Sequence, residues 1–290
     1  MIYHCWFEGH LSLGYFERMW LLSVVVLTPV VYLVSGRVLP IALTDRLHDV
    51  FRQEQSPTSQ VLALGFVGGL LVGGTPFHAI FRYLATVVHE LGHAFTAGVL
   101  GGRPKNITIA PSASGLATYQ PPLGWGRGRA SLVSLAGYPA PAIASLAAVR
   151  ALQQGQTMAW FFFATGTLAI AIVFLIRNLW GFFWTAAITT GAYFAATELP
   201  VRTLGWIVAG VAGYLAMEGY RHSWQQMMIV KNFPGAGCDA EKCAVWWRVN
   251  PRGMATVHFV AVTAIGAYSS YLAINPYWSE IVDWVQEYTK

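Results

Sequence analysis

Apolar residues occur in eight long runs separated by short polar or charged stretches. The runs are Trp20–Ser35, Val61–Thr75, Tyr83–Leu100, Ser131–Val149, Ala159–Ile176, Gly181–Thr197, Leu204–Met217 and Thr256–Ile274. A helix needs about 20 residues to cross a bilayer, so each run is long enough, or nearly so, to span. The second and seventh runs are short and rich in glycine, and each could instead be a re-entrant or tightly packed helix. The pattern predicts an all-α polytopic membrane protein with about eight transmembrane helices, or alternatively seven.

Composition agrees with a membrane protein. Hydrophobic residues make up 55% of the 290 residues and charged residues only 11%, whereas soluble domains carry about 25% charged residues. No tandem repeat, low-complexity tract or long linker divides the chain, so we expect a single transmembrane domain over residues 1–290. Residues 1–19, before the first run, are expected to form a short external lead.

The distribution of basic residues predicts the topology. Placing residues 37–60, 101–129, 177–178 and 220–253 in the cytoplasm collects thirteen of the eighteen Lys and Arg residues there, as the positive-inside rule requires. Both termini are then external, and residues 220–253 form a cytoplasmic loop. The net charge of +5 therefore indicates orientation and contact with anionic lipid. The basic residues form no stripe with interleaved aromatic residues, so the sequence does not indicate nucleic-acid binding.

A metal-binding motif lies inside the third apolar run, His89-Glu90-Leu91-Gly92-His93. On a helix, His89 and His93 project from one face, one turn apart, so that both imidazoles can bind one Zn²⁺. Glu90 is then placed to act as general base on a metal-bound water. Ionisable groups at bilayer depth are costly and are functional candidates. The alternative, a pair of buried structural histidines, leaves Glu90 unexplained.

After the motif, the pattern predicts a short β-hairpin. The glycines and proline of residues 101–104 end the helix, residues 106–110 alternate like a strand, and residues 116–119 can form the return strand after a turn. A strand edge beside a zinc site could hold an extended substrate by backbone hydrogen bonds. An ordinary connecting hairpin is equally compatible with these residues.

Two further segments interrupt the apolar runs. Tyr138-Pro139-Ala140-Pro141 predicts a kink in the fourth span. Asn178 follows Arg177 with almost no loop between two long runs, so its amide is a candidate to contact the scissile carbonyl or to steady the metal site. The alternative is that Arg177 and Asn178 mark a tight cytoplasmic turn.

Taken with these segments, the zinc motif resembles the site-2 protease family of intramembrane zinc metallopeptidases, in a compact branch that lacks a PDZ domain. The segments that carry the resemblance are His89–Ala94, Gly101–Gly102 with the hairpin, Ala136–Ala142, Arg177–Gly181 and Cys238–Ala240. The likeness covers most of residues 84–260. The resemblance implies zinc-dependent cleavage of membrane-anchored protein substrates within or beside the bilayer, with the active site toward the cytoplasmic side of the cell membrane.

The third zinc ligand departs from the family pattern. Better-known members take it from an Asp-Gly motif on a later transmembrane helix, and this chain contains no Asp-Gly pair. Asp239 is the only aspartate on the side and in the order that the family plan requires, so it is the first candidate. Glu218, His222, Glu198 and the soft ligand Cys238 are the alternatives. Asp239 could instead be the N-cap of a helix over residues 240–247.

Two other functions are compatible with the sequence. The missing Asp-Gly pair is compatible with a degenerate, non-proteolytic relative that acts as a membrane scaffold. Intramembrane His and Glu residues also occur in multi-span transporters. The chain, however, has no internal repeat and no pair of interrupted helices in matching halves, which disfavours transport.

Overall fold

The computed structural model describes residues 57–288. The predicted first span and external lead lie outside the described residues. The described elements are α1 (Ser59–Val72), α2 (His78–Val99), β1 (Arg103–Ile109), β2 (Gly115–Gln120), α3 (Arg127–Ala136), α4 (Pro139–Gln153), α5 (Thr157–Phe174), α6 (Leu179–Glu198), α7 (Val201–Asn232), α8 (Asp239–Trp247) and α9 (Pro251–Tyr288). The prediction of a mostly helical chain with one small antiparallel hairpin is confirmed.

Local signals explain several helix boundaries. The hydroxyl oxygen of Thr58 accepts a hydrogen bond from the backbone N–H of Val61 at 3.3 Å, which caps α1 at a donor that the helix itself leaves unpaired. Prolines lie at the start of α4 and α9, where the missing N–H costs nothing. Because Pro139 cannot continue α3, α3 and α4 meet at 60°. The predicted kink in the fourth span is therefore confirmed.

The helices run between two ends of a bundle. Tyr138, just before α4, stacks on His258 near the start of α9. At the other end of α4, Gln153 donates to the backbone carbonyl of Leu272 in α9 at 2.8 Å, so α4 and α9 are parallel. Gln226 of α7 hydrogen-bonds His258 at 2.8 Å. We call the end with Tyr138, the hairpin and α8 the site end, and the end with Gln153 the far end.

α1 enters the bundle from the far end. Pro57 lies beside Gly205 near the start of α7, and Gly73 lies beside Met217 further along that helix. The two helices are therefore parallel. Glycines at their contact let the two backbones approach closely, as small residues do between membrane helices.

The far-end position of residues 57–60 corrects the predicted topology. The Ser59 hydroxyl donates to the Glu280 carboxylate at 2.6 Å, and Glu280 lies beyond the middle of α9, toward the far end. The prediction that residues 37–60 lie on the same side as residues 101–129 is therefore wrong for residues 57–60. The reason is that α1, with 14 residues, reaches only about 21 Å. α2 starts in mid-bundle, where His78 lies 3.1 Å from the Tyr214 hydroxyl, and continues to the site end. Two predicted spans thus form one broken passage.

α7 is much longer than the seventh predicted span. It runs to Asn232, so the prediction of a loop over residues 220–253 is wrong for residues 220–232. Glu218, His222 and Gln226 repeat every four residues and are buried, which places them on one face of a helix that continues through them. In the sequence these three polar residues resemble the end of a span, but in the structure they pack inside the bundle.

Both edges of β1 are paired. On one side β2 lies antiparallel, with Ile107 opposite Ala117. On the other, the N–H of Ile107 donates to Leu175 at 2.7 Å, and its carbonyl accepts from Arg177 at 3.1 Å. Both backbone groups of Ile107 therefore point away from β2, so Ile107 and Ala117 form a non-hydrogen-bonded pair of the antiparallel ladder. In such a pair the N–H and C=O of Ala117 also point away from the partner strand, toward the outside of the hairpin.

The main apolar core lies among α1, α4, α7 and α9 and includes the fully buried Phe66, Leu152 and Leu204. By length and composition, two described helices can cross a membrane: α5, and residues 251–287 of α9. The bent pair of α3 and α4 adds a third if it is counted as one span. The described residues therefore do not reach eight clear spans. α1 is short, and ionisable residues interrupt α2 and α7.

Candidate metal centre

The two histidines of the motif point into the bundle from one face of α2. His89 and His93 are 6% and 8% exposed, and Glu90 between them is 4% exposed. Burial of three ionisable side chains on one helical turn costs free energy unless each finds a partner. The surroundings of this turn therefore decide what the motif can do.

Asp239 joins the two histidines to form a compact donor set. His89 Nε2 lies 3.2 Å from His93 Nε2, and Asp239 Oδ2 lies 3.5 Å and 3.1 Å from these two nitrogens. Ligands about 2.0–2.2 Å from a tetrahedral zinc ion lie about 3.3–3.6 Å from one another. Within residues 57–288, this is the one group of three potential metal ligands whose atoms converge within 4.8 Å. The donor set fits zinc in chemistry and in spacing.

The backbone and a neighbouring ring orient the two imidazoles. His93 Nδ1 lies 2.6 Å from the carbonyl oxygen of Val133. A carbonyl can only accept, so Nδ1 carries a proton and donates it to Val133. A metal ion would displace the other proton from Nε2 and take its lone pair. The ring of His89 packs edge-on against Tyr138, with centroids 4.8 Å apart. α3 and the turn after it therefore set the ring positions of both histidines.

Asp239 reaches the centre as the first residue of α8. The N-cap of α8 is Cys238, so the alternative that Asp239 is the cap does not hold. Its Oδ1 accepts from Lys242 Nζ at 3.2 Å, which leaves Oδ2 toward the histidines. Burial alone would raise the pKa of this carboxyl, but the charge on His93 and hydrogen bonds from His89 and His93 hold the pKa of Asp239 well below its usual range. The carboxylate is therefore ionised at neutral pH.

Gly137 leaves the space that the donor set needs. Its φ of −63° and ψ of −54° are ordinary helical values, so the backbone does not require glycine here. A Cβ at this position would lie 2.6 Å from His89 Nε2 and closer still to His93 Nε2. The absence of a side chain therefore keeps open the region that both ligand nitrogens face.

Glu90 lies between the donor set and β2. The backbone of Ala117, on the outward edge of the hairpin, faces its carboxylate. A Cβ at Gly115 would lie 2.6 Å from Glu90 Cγ, so the start of β2 packs directly on this side chain. The hairpin turn is fastened to the same helix, because the hydroxyls of Tyr83 and Thr86 donate to the carbonyls of Pro111 and Ala113 at 2.6 and 2.7 Å. The motif helix and the strand edge thus form one unit.

Asn178 belongs to the opposite edge of the hairpin. Its Nδ2 donates to the carbonyl of Ile109 at 2.7 Å, and its Oδ1 accepts from the N–H of Ile109 at 3.0 Å. The side chain thus imitates a neighbouring strand and extends the pairing that Leu175 and Arg177 begin. Both polar atoms of the Asn178 amide therefore hydrogen-bond β1, and they do not point at the donor set.

The alternative third ligands are engaged elsewhere. Glu218 is fully buried, and its carboxylate lies 3.0 Å from His222 and 3.3 Å from His78. Arg221 lies 3.6 Å from the same carboxylate. Cys238 packs in the apolar cluster that α8 forms with α7 and α9. Glu198, the last residue of α6, lies at the far end.

Several residues that shape the centre have no chemical signature in the sequence. Val133 contributes only its backbone carbonyl, and Gly137, which lies in the segment Ala136–Ala142 that carries the family resemblance, contributes only the absence of a side chain. Glu241 and Lys242 follow Asp239 closely, and that clustering of charge at the start of α8 was the signal available for them. Their contacts depend on how α8 packs against α3 and α7, which no local pattern reports.

One of the comparisons with known proteins finds a match. A family model described as Peptidase M50B-like matches residues 62–269, a range that includes every residue of the centre. No curated protein matches the chain, and no solved structure matches it.

Proposed function

The chain belongs to the Peptidase M50B-like family, and on that premise we propose that it is an intramembrane zinc metalloprotease of the site-2 protease type. Its substrates would be membrane-anchored proteins. His89, His93 and Asp239 would hold the zinc ion, and Glu90 would be the catalytic base. The site end would face the cytoplasm, as the surplus of Lys and Arg residues there suggests.

The convergence of Asp239 on the two histidines carries this proposal. A catalytic zinc takes three protein ligands and keeps one position open, and the donor set offers three. A chain without an Asp-Gly pair could have lost its metal, as the scaffold alternative assumes. The ionised carboxylate at 3.1 Å from His93 Nε2 instead favours a complete ligand set drawn from α2 and α8.

The zinc ion and the protein would contribute different parts of the hydrolysis. A bound zinc ion supplies Lewis acidity, which lowers the pKa of a water molecule and polarises a carbonyl group. The Glu90 carboxylate would take a proton from the attacking water and deliver it to the leaving nitrogen of the scissile peptide. Gly137 leaves open the space that the two imidazole nitrogens face, and Gly115 lets β2 pack directly on the Glu90 side chain.

The outward edge of β2 offers a place for that backbone. The N–H and C=O of Ala117 point away from β1 and toward Glu90, and the other edge of the hairpin is already filled by residues 175–178. An extended peptide paired with β2 would pass beside the base and the donor set. This supports cleavage of a locally unwound transmembrane segment, because a helix cannot present its backbone to a strand.

Replacement of the base tests the proposal. Glu90→Gln keeps the shape of the side chain but removes the proton acceptor, so we expect unchanged zinc content and a loss of cleavage of about 10²–10⁴-fold. The assay uses purified protein in detergent or liposomes with a membrane-embedded reporter, and zinc is measured in the same samples. Glu198→Gln, exposed at the far end, is the matched control. Cleavage by Glu90→Gln at the wild-type rate would refute the assignment, as would a wild-type protein that binds no zinc.

A further inference from the structure

We propose that Glu241 is the positioning residue that holds Asp239 in the metal centre. The inference rests on the proposed function, since it concerns the affinity of the proposed zinc site. Glu241 does not reach the donor set. It acts on the chain that delivers Asp239, the loop of residues 233–238 between α7 and α8.

The Glu241 carboxylate holds this loop through two backbone groups. Its Oε1 accepts from the N–H of Gly235 at 2.7 Å, and its Oε2 accepts from the N–H of Gly237 at 2.6 Å. Glu241 is 8% exposed, so its side chain lies largely away from water. Hydrogen bonds to an ionised acceptor are roughly twice as strong as those between neutral groups. One side chain thereby closes the loop onto the first turn of α8.

The conformation of the loop makes these bonds possible. Gly235 and Gly237 have φ values of +89° and +77°, a region in which L-residues are strained and glycine is not. These turns bring both N–H groups round to one side, where a single carboxylate can accept from them. With the loop closed, the chain returns from the end of α7 to the level of the histidines.

The position of Glu241 in α8 suits this contact. The N-cap of α8 is Cys238. Glu241 is the third residue of the helix, the position from which a capping-box glutamate reaches back to the backbone. Here it reaches further back, to the residues before the cap. Its negative charge in the first turn also favours the helix dipole.

Glu241 and Lys242, two and three residues after Asp239, together place its side chain. Lys242 holds Oδ1 of the Asp239 side chain at 3.2 Å, and Glu241 fixes the backbone from which that side chain projects. Asp239 is the only member of the donor set outside α2, so it alone depends on the loop. Release of the loop would therefore withdraw one ligand and leave the two histidines in place.

A double-mutant cycle on the full-length protein tests this. Zinc dissociation constants are measured by competition with a chromophoric chelator for wild type, Glu241→Ala, Asp239→Ala and the double variant. Loss of a residue that orients a metal ligand typically weakens metal binding by 10–100-fold, and we expect that range for Glu241→Ala. In the Asp239→Ala background, Glu241→Ala should weaken zinc binding less than about twofold, because the carboxylate that Glu241 positions is no longer present.

Glu241→Gln is the conservative variant in case Glu241→Ala folds poorly. It keeps one acceptor oxygen and should retain an intermediate affinity. The visible spectrum of the cobalt-substituted protein should change in Glu241→Ala as it does in Asp239→Ala. Equal weakening of zinc binding with and without Asp239 would overturn the inference, because Glu241 would then act on general stability. Wild-type affinity in both Glu241 variants would also overturn it. A wild-type protein that binds no zinc would instead overturn the proposed function on which the inference rests.

Discussion

A single methyl group at Gly137 should disable the metal centre. Gly137→Ala places a Cβ at 2.6 Å from His89 Nε2, about 0.8 Å short of the 3.4 Å at which ordinary contact begins. The His93 nitrogen is closer still, and its ring is held by the hydrogen bond to Val133. One or both imidazoles must therefore move by several tenths of an ångström, whereas metal–ligand distances tolerate only about 0.2 Å.

The magnitude follows from this comparison. An imidazole that moves by several times the tolerated change in metal–ligand distance no longer binds the ion. We therefore expect zinc affinity to fall by about 100-fold or more. Loss of a residue that only orients a ligand typically weakens metal binding by 10–100-fold. Stability of the metal-free protein should change little. Alanine suits the helical backbone angles of residue 137 and gains about 0.5–1 kcal/mol over glycine in a helix. The broken hydrogen bond of His93 costs a similar amount.

Zinc titration with a competing chelator and thermal unfolding of the metal-free protein measure the two effects separately. Gly128→Ala is the matched control, because it lies on α3, the helix that ends just before Gly137, and its Cβ would meet no atom within 4 Å. We expect wild-type zinc affinity in this control. If Gly137→Ala bound zinc as tightly as Gly128→Ala, the donor set described here would not be the metal site.

Three further predictions concern topology, the hairpin and the third ligand. Cysteines introduced at Arg127 and at Ser59 should be labelled from opposite sides of the membrane, and labelling from one side would refute the broken passage of α1 and α2. Asn178→Ala removes two hydrogen bonds to β1 and should lower stability by about 1–3 kcal/mol without loss of zinc; an unchanged denaturation midpoint would argue against the strand-like role. Glu218→Ala should retain zinc but destabilise the protein by about 1–3 kcal/mol, because it removes the buried acceptor that His78 and Arg221 face, whereas Asp239→Ala should lose zinc. The reverse pattern would transfer the third ligand to α7.

The helical class, the hairpin and the histidine pair followed from the sequence because each depends on short-range geometry. A spacing of four residues places His89 and His93 on one helical face whatever surrounds them. Two prolines separated by one residue, Pro139 and Pro141, bend a helix in nearly any context, and so the kink before α4 was predictable. Alternation over residues 106–110 with a following turn likewise sufficed to predict the hairpin.

The orientation of α1 and the length of α7 did not follow. Hydropathy counts apolar residues along the chain, and it cannot tell a helix that crosses the bilayer from one that stops in mid-bundle against another helix. The polar face of α7 with Glu218 and His222 resembled the end of a span, because the sequence does not show that His78 and Arg221 surround that carboxylate. Charge counting treated residues 37–60 as one unit and so assigned residues 57–60 to the wrong end.

In the candidate metal centre too, the sequence determines one part and the tertiary structure the other. The two proposed histidine ligands and the proposed base are three residues of one helical turn, and the sequence alone identifies them as candidates. The proposed third ligand, Asp239, is 146 residues further along the chain from His93, and nothing in its neighbours specifies which face of α8 meets α2. The loop closed by Glu241, the carbonyl of Val133 and the space at Gly137 bring Asp239 to 3.1 Å from His93. These are contacts between distant segments, and only the packed tertiary structure determines them.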